Sequence, residues 1–293
     1  MDAPHPLPRL RGVHNGCATA GAPVVDAPRR SGTIGPVGRG ERDARELDGA
    51  WRHHQRHAFA APEPALAPFV ERFWTVDWSY ATPYRQLVVP LPQVQLSWIA
   101  GQPPLVSGPV LGPVVRELSG EGRVVGVAFR PGGFRPFLDG PVSALAGRAV
   151  PAADVLPAPP PAVADASEAA AWLRTVLPPP DPVAEWVAGI VGLVAAEPAL
   201  TRVDVLAERA GCGVRRLQRV FAEHVGVGPK RVVRRYRLGE VIARLAAGER
   251  IDWAGLAAEL GYADQAHLVR DVTAFCGEPP TAYAARFPRG NGR

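Results

Sequence analysis

The chain has 293 residues, enough for two domains and a tail, and 47% of them are hydrophobic, enough to build real cores. No run of about 18 or more apolar residues occurs, which excludes a membrane-spanning helix, and the opening MDAPHPLPRLRG lacks an apolar block ahead of a cleavage site, which argues against a secretory leader. The net charge is +5 and unevenly placed: from Thr201 onward there are 16 Lys+Arg against 10 Asp+Glu, an excess of +6, while the rest of the chain stands at −1.

Residues 1–58 are rich in Gly, Pro, Ala and Arg without sustained periodicity, and are expected to be a disordered tail or an extension from a mis-assigned start codon. His53, His54 and His57 lie at its end and are expected to be a solvated polar patch rather than a metal site, because no fixed scaffold surrounds them. Residues 59–156 change texture. Phe69, Phe73, Trp74, Val76 and Trp78 form a dense apolar run, and LVVPLPQVQLSWIAG and RVVGVAFR predict short strands between Pro- and Gly-rich turns. Val94, Leu96 and Trp98 alternate with Gln93, Gln95 and Ser97, the pattern of a half-buried strand. Arg130 to Leu138 predicts a strand end and tight turn into a short helix, and PVSALAGRAV a further helix or turn. The whole is a β-rich domain of the α+β class. Residues 157–182, with PAPPP and PPPDP around a short helical AAAWLRTVL, predict a stiff linker.

Beyond the prolines everything predicts helix. Asp181 is the expected N-cap, with Pro182 at the first helical position, of a helix to Ala196. A short helix follows over 203–210, then a tight turn at Gly211-Cys212-Gly213. The next helix, 214–225, carries Val214, Leu217, Val220 and Phe221 on one face and Arg215, Arg216, Gln218 and Arg219 on the other. A short helix, a glycine turn and a second helix with a basic, glutamine-bearing outer face is the helix-turn-helix plan. Pro229 starts a long helix to Leu245. The plan then repeats: a short helix over 251–260, a turn at Gly261-Tyr262, and a helix capped by Asp264 that buries Leu268, Val272 and Phe275 and exposes Gln265, Ala266, His267, Val269 and Arg270. The internal period is about fifty residues.

The segment from about Val203 to Phe287, with LAERAG, RRLQRVF and HVGVGPKRVV followed by LAAELGYADQAHLVRDVTAFCGEPPTAYAARF, resembles the DNA-binding module of the AraC/XylS-type transcription regulators, placed here at 183–289. Two departures stand out: Gly213 replaces the usual Ser or Thr cap, and Val272 replaces a frequent aromatic. The resemblance implies two recognition helices in successive major grooves. Arg215, Gln218 and Arg219 are the expected base readers of the first helix, with Arg216 beside them. Gln265 and Arg270 are the readers of the second; His267 either packs against Tyr262 or meets DNA. Arg231, Arg234, Arg235 and Arg237 ride on the long helix, where about half are expected to touch phosphate and the rest to be plain surface charges; Lys230, Arg234 and Arg235 are taken as DNA-binding. The segment from about Pro68 to Leu156 is similar to the poorly characterised domain that precedes the reader in a subset of these regulators, where a small-molecule sensor often also dimerises. Trp74, Trp78, Tyr84, Gln95, Trp98 and Arg130 are its candidate ligand residues, with Phe73 and Gln93 as further lining; the alternative is that most of these aromatics are core.

Three widely spaced cysteines, Cys17, Cys212 and Cys276, argue against a disulfide framework and suit a reducing cytoplasm. G-x-S-x-G, P-loop, H-E-x-x-H and Cys-x-x-Cys motifs are absent, so no catalytic residue, metal or cofactor is expected and the chain is not read as an enzyme. The expected class is a multidomain α+β protein, a β-rich sensor-like domain followed by an all-α tandem helix-turn-helix. Double-stranded DNA is the expected partner; RNA polymerase, an unidentified small-molecule effector and a second copy of the chain are further candidates, and a membrane is not. The rival is a protein-interaction or small-molecule-binding protein whose helical domain does not read DNA specifically.

Overall fold

The computed structural model describes residues 54–88, 91–110, 112–197, 199–246 and 249–285. Six strands, β1 (Gln55–Ala60), β2 (Val70–Val88), β3 (Gln95–Ile99), β4 (Leu105–Ser107), β5 (Val114–Phe129) and β6 (Ala149–Pro151), form one sheet in the order β1-β2-β5-β3-β4-β6. Every neighbouring pair is antiparallel. Most of the expected tail, residues 1–53, lies outside the described residues. Its last residues are a correction: Gln55 to Ala58 pair with Trp78 to Thr75, so the domain begins before residue 59.

The two long strands β2 and β5 are the frame. β2 breaks register between Tyr80 and Tyr84, opposite Gly120, whose φ of +59° suits glycine. The break folds β2 back on itself. Gln86 lies eight residues beyond Trp78, roughly 26 Å along a straight strand. Yet Gln55, the register partner of Trp78, donates from Nε2 to Gln86 Oε1 at 3.0 Å. The far end of the β2–β5 ribbon therefore curls over one face of the sheet.

The sheet's two faces differ. Val94, Leu96 and Trp98 on one face, with Phe73, Val125, Val127 and Phe129, join the turn segments that follow β5 in a closed core. Phe129, Phe134 and Phe137 meet there with ring centroids 4.7 to 5.7 Å apart. The expected short helix after β5 is a 3₁₀ turn, Arg135–Phe137, reached through Gly132 at φ +86°. PVSALAGRAV resolves into a 3₁₀ turn at Val142–Leu145 and then β6. The linker reading needs correction. Asp165 caps α1 (Ala166–Thr175), and Ala169 and Leu173 of that helix are fully buried in the sheet domain's core. The prolines flank a packed helix rather than stiffen a spacer.

The helical part follows the expected elements closely: α2 (Pro182–Ala196), α3 (Val203–Arg209), α4 (Val214–His224), α5 (Pro229–Ala246), α6 (Trp253–Glu259), α7 (Gln265–Cys276) and α8 (Pro280–Ala285). Asp181 accepts from Val183 N at 2.8 Å and Asp264 from His267 N at 2.7 Å, while Gly213 caps α4 with no side-chain bond. α5 is shared by two cores. Val232 and Val233 pack with Leu206, Leu217, Phe221 and residues of α2; Leu238, Val241, Ile242 and Leu245 pack with Leu256, Leu260, Leu268, Val272 and Phe275. Each helix-turn-helix thus has its own core at one end of a common rod.

Candidate nucleic-acid interface

α4 is amphipathic because its apolar residues recur at helical spacing, and burying Leu217 and Phe221 completely fixes which side faces out. Arg215, Arg216, Gln218 and Arg219 are all exposed on that side. Among the described residues, the side chains of Arg215 and Arg219 make no hydrogen bond or ion pair, and the same holds for Lys230 and Arg231 at the start of α5. Arg216 lies over the Trp186 ring of α2, 5.5 Å from its centroid.

Elsewhere on the helical domain several arginines are held in ion pairs. Arg209 bridges Glu197, and Arg202 pairs with Asp204, holding that carboxyl at about 2. Arg244 sits between Glu240 and Glu259. The contrast separates cations that hold the fold from cations left open to a partner.

Two residues taken as DNA-binding fall in the first group. Arg235 is a correction: it is 5% exposed, its guanidinium lies 4.6 Å from the centroid of Phe275, and it cannot reach a DNA backbone from there. Arg234 makes a bidentate pair with Asp271 at 2.8 and 2.9 Å, tying α5 to α7. The periodicity of α5 alone could have shown Arg235 on the buried side, next to Val232, Val233 and Leu238.

On α7, Gln265, Ala266, His267 and Arg270 are exposed and Val269 is half-buried. His267 packs edge-on against Tyr262, with centroids 5.1 Å apart, and Arg270 Nε donates back to Ala266 O at 3.2 Å. The second reader therefore offers less free polar surface than the first.

Arg135, in the turn after β5 where the sequence left an anionic ligand, the helical module or a structural salt bridge open, joins the first reader to the sheet domain. Arg135 Nε donates to Glu223 Oε1 at 2.6 Å, and its other arm to Leu138 O at 2.8 Å. Gly226, at φ +84°, has no room for a side chain: a Cβ there would lie 2.8 to 3.0 Å from Pro109 and Val142. Ala146 packs against the core of α2, α4 and α5. His224, 9% exposed, sits in this junction with Nδ1 3.6 Å from Asp181 Oδ2. Burial lowers its pKa; Arg135 lowers it further, while Asp181 and Glu223 oppose the shift. With the folded pKa below the ordinary 6.5, the unfolded chain takes up the proton first, so this contribution is complete above about pH 7 and is lost as pH falls through 6.5 toward the folded value. Urea midpoints measured at about pH 7.5 and about pH 5.5 should fall more for the native chain than for His224→Gln. Equal falls would remove His224 from the account.

The sheet domain contains a cavity of about 240 Å³ under the curled ribbon. Trp74, Trp78, Gln93 and Gln95 line it. Three other candidate residues do not. Trp98 faces the closed core and donates from Nε1 to Pro161 O at 2.9 Å; Tyr84 stacks on Tyr80; Arg130 donates to Ala67 O at 3.2 Å. Phe73 is core as well. His57, expected in a solvated patch, also lines the cavity, with Nε2 2.9 Å from Gln55 Oε1. The ribbon supplies Gln86 and Arg116, which only the fold-back brings in. Among the described residues no cluster of His, Cys, Asp or Glu could hold a metal, and no helix is long and apolar enough to cross a membrane.

Comparison with known proteins gives two domain matches. Residues 58–151 match a domain of unknown function, DUF6597, and residues 206–286 match a helix-turn-helix domain. No curated protein matches the chain. Among solved structures, ToxT from Vibrio cholerae is 9% identical with a TM-score of 0.41, over 80% of this chain and 99% of that one. ToxT with bound unsaturated fatty acid is 10% identical with a TM-score of 0.37, over 84% of this chain and 99% of that one. Residues 206–286 are accordingly a helix-turn-helix domain, set behind a domain of unknown function.

Proposed function

We propose that the protein is a one-component, sequence-specific regulator in which α4 and α7 enter successive major grooves and the sheet domain senses a small molecule. The observation that carries the DNA half is the outer face of α4: exposed arginines and a glutamine, with Arg215 and Arg219 unpaired while Arg202 and Arg209 on the preceding segment are committed to ion pairs. Arg can take guanine O6 and N7 together and Gln can take adenine N6 and N7. The rod of α5 sets the two readers on one side of the duplex, about one helical turn apart. The junction at Arg135 and Glu223 supports the sensing half, because it links the cavity-bearing domain directly to the helix that reads.

In-vitro selection of bound duplexes by the full chain tests this reading. Two short conserved elements about 10 base pairs apart are expected, the one facing α4 better defined, with repeats of the pair if two copies bind together. Recovery of random sequence would favour the interaction-module reading.

A further inference from the structure

The sheet domain's cavity is walled largely by apolar groups, yet it holds buried polar atoms with nothing to bond. Gln93 is 4% exposed, and its Nε2 has no hydrogen-bond partner among the described residues; neither has Nε1 of Trp74. Both are donors. A buried donor left unpaired costs stability, so such atoms mark a place where a partner arrives from outside. Arg116, on the ribbon that roofs the cavity, is equally alone: its guanidinium makes no hydrogen bond or ion pair among the described residues. Surrounding protein still desolvates it enough to lower its pKa. No Asp or Glu lines the cavity to balance it.

The walls restrict the shape of the missing partner. Trp74 and Trp78 lie against the sheet over Gly126 and Gly122, their register partners. A Cβ on either glycine would fall 2.0 to 2.1 Å from the indole, so the two glycines let both rings lie close to the strands. Val76, Ile99 and Leu118 complete an apolar slot. Its volume is below the 300–1,000 Å³ usual for drug-sized ligands. One guanidinium and one amide suit a single negative charge with two acceptor oxygens. A phosphate dianion would want more cations.

We infer that this cavity binds a small aromatic monocarboxylate, its carboxylate received by Arg116 and the Gln93 amide and its ring held along Trp74 and Trp78. The inference rests on the reading of the sheet domain as a sensor and names the chemistry it senses.

Thermal unfolding of the full chain with indole-3-acetate, its neutral isostere indole-3-acetamide, and octanoate tests the assignment. Indole-3-acetate should raise the melting temperature with concentration, and bind at least about tenfold more tightly than the amide, the least that a charge-assisted hydrogen bond confers, and more tightly than octanoate. Arg116→Gln, at an exposed side chain with no partner to lose, should melt like the native chain and abolish the preference for the acid. Equal binding of acid and amide, a preference that survives Arg116→Gln, tighter binding of octanoate, or no shift with indole-3-acetate overturns the assignment. The sensing reading has a separate readout: if indole-3-acetate binds in the cavity but leaves affinity for the selected DNA unchanged, the site stands and the sensor does not.

Discussion

Phe221→Ala is expected to cost about 3–5 kcal/mol, the usual loss for a fully buried Phe, and to abolish DNA binding. Phe221 is 0% exposed and packs where α4 meets α2 and α5. Truncation leaves a cavity that the surrounding Leu206, Leu217 and Val232, themselves fully buried, cannot fill without shifting helices. Such a loss is a large part of the 5–15 kcal/mol that typically holds a domain, and it falls on the element whose outer face reads DNA. Urea unfolding followed by circular dichroism measures it. Val183→Ala, at a position 41% exposed on α2, is the control and should change the midpoint little. A loss below about 1 kcal/mol at Phe221 would mean that α4 does not present its apolar face inward.

Arg219→Ala is expected to leave the fold intact and to weaken binding by about 1–3 kcal/mol, with the loss concentrated at one base position of the selected site. The side chain is exposed and unpaired, so nothing in the protein is orphaned by its removal. Lys230→Ala should instead weaken all sequences alike, as a phosphate contact does. Arg235→Ala should lower stability through lost packing against Phe275 while leaving base preference unchanged. Binding to a library of single-base variants separates the three. A uniform loss for Arg219→Ala would reassign it to the backbone.

The contrast between Arg219 and Arg235 also shows what the sequence could disclose. Helical spacing, the Asp181 and Asp264 caps, and the glycine turns at 211 and 261 are local signals, and each local rule agreed with the tertiary result, so the helices appeared where expected. Assignment to DNA by composition failed at Arg235 because one residue on a long helix can face either core or solvent, and the phase of the apolar stripe decides which. In the sheet domain the deciding contacts were non-local. Gln93, Gln95 and Ser97 have the alternation of a strand with one wet face, yet that face lines a cavity because the β2–β5 ribbon folds over it. The fold-back depends on a register break between Tyr80 and Tyr84. No periodicity announces it, and it is what carries Gln86 and Arg116 to the same place as Trp74 and Trp78. α1 was hidden differently: proline runs on both sides resemble a spacer, and only the burial of Ala169 and Leu173 shows that the helix between them is part of the domain core.

On the proposed reading, the helical domain meets DNA through exposed cations on α4, the start of α5 and α7. Affinity for the selected duplex as a function of salt tests it most directly. Arg215, Arg216, Arg219, Lys230, Arg231 and Arg270 are exposed. At about 0.9 per neutralised phosphate, Arg216, Lys230 and Arg231, the cations of this set outside the base-reading assignments, predict a log–log slope near −3, reduced by about 1 in Lys230→Ala. A slope near zero, or one that Lys230→Ala leaves unchanged, would contradict the interface described here.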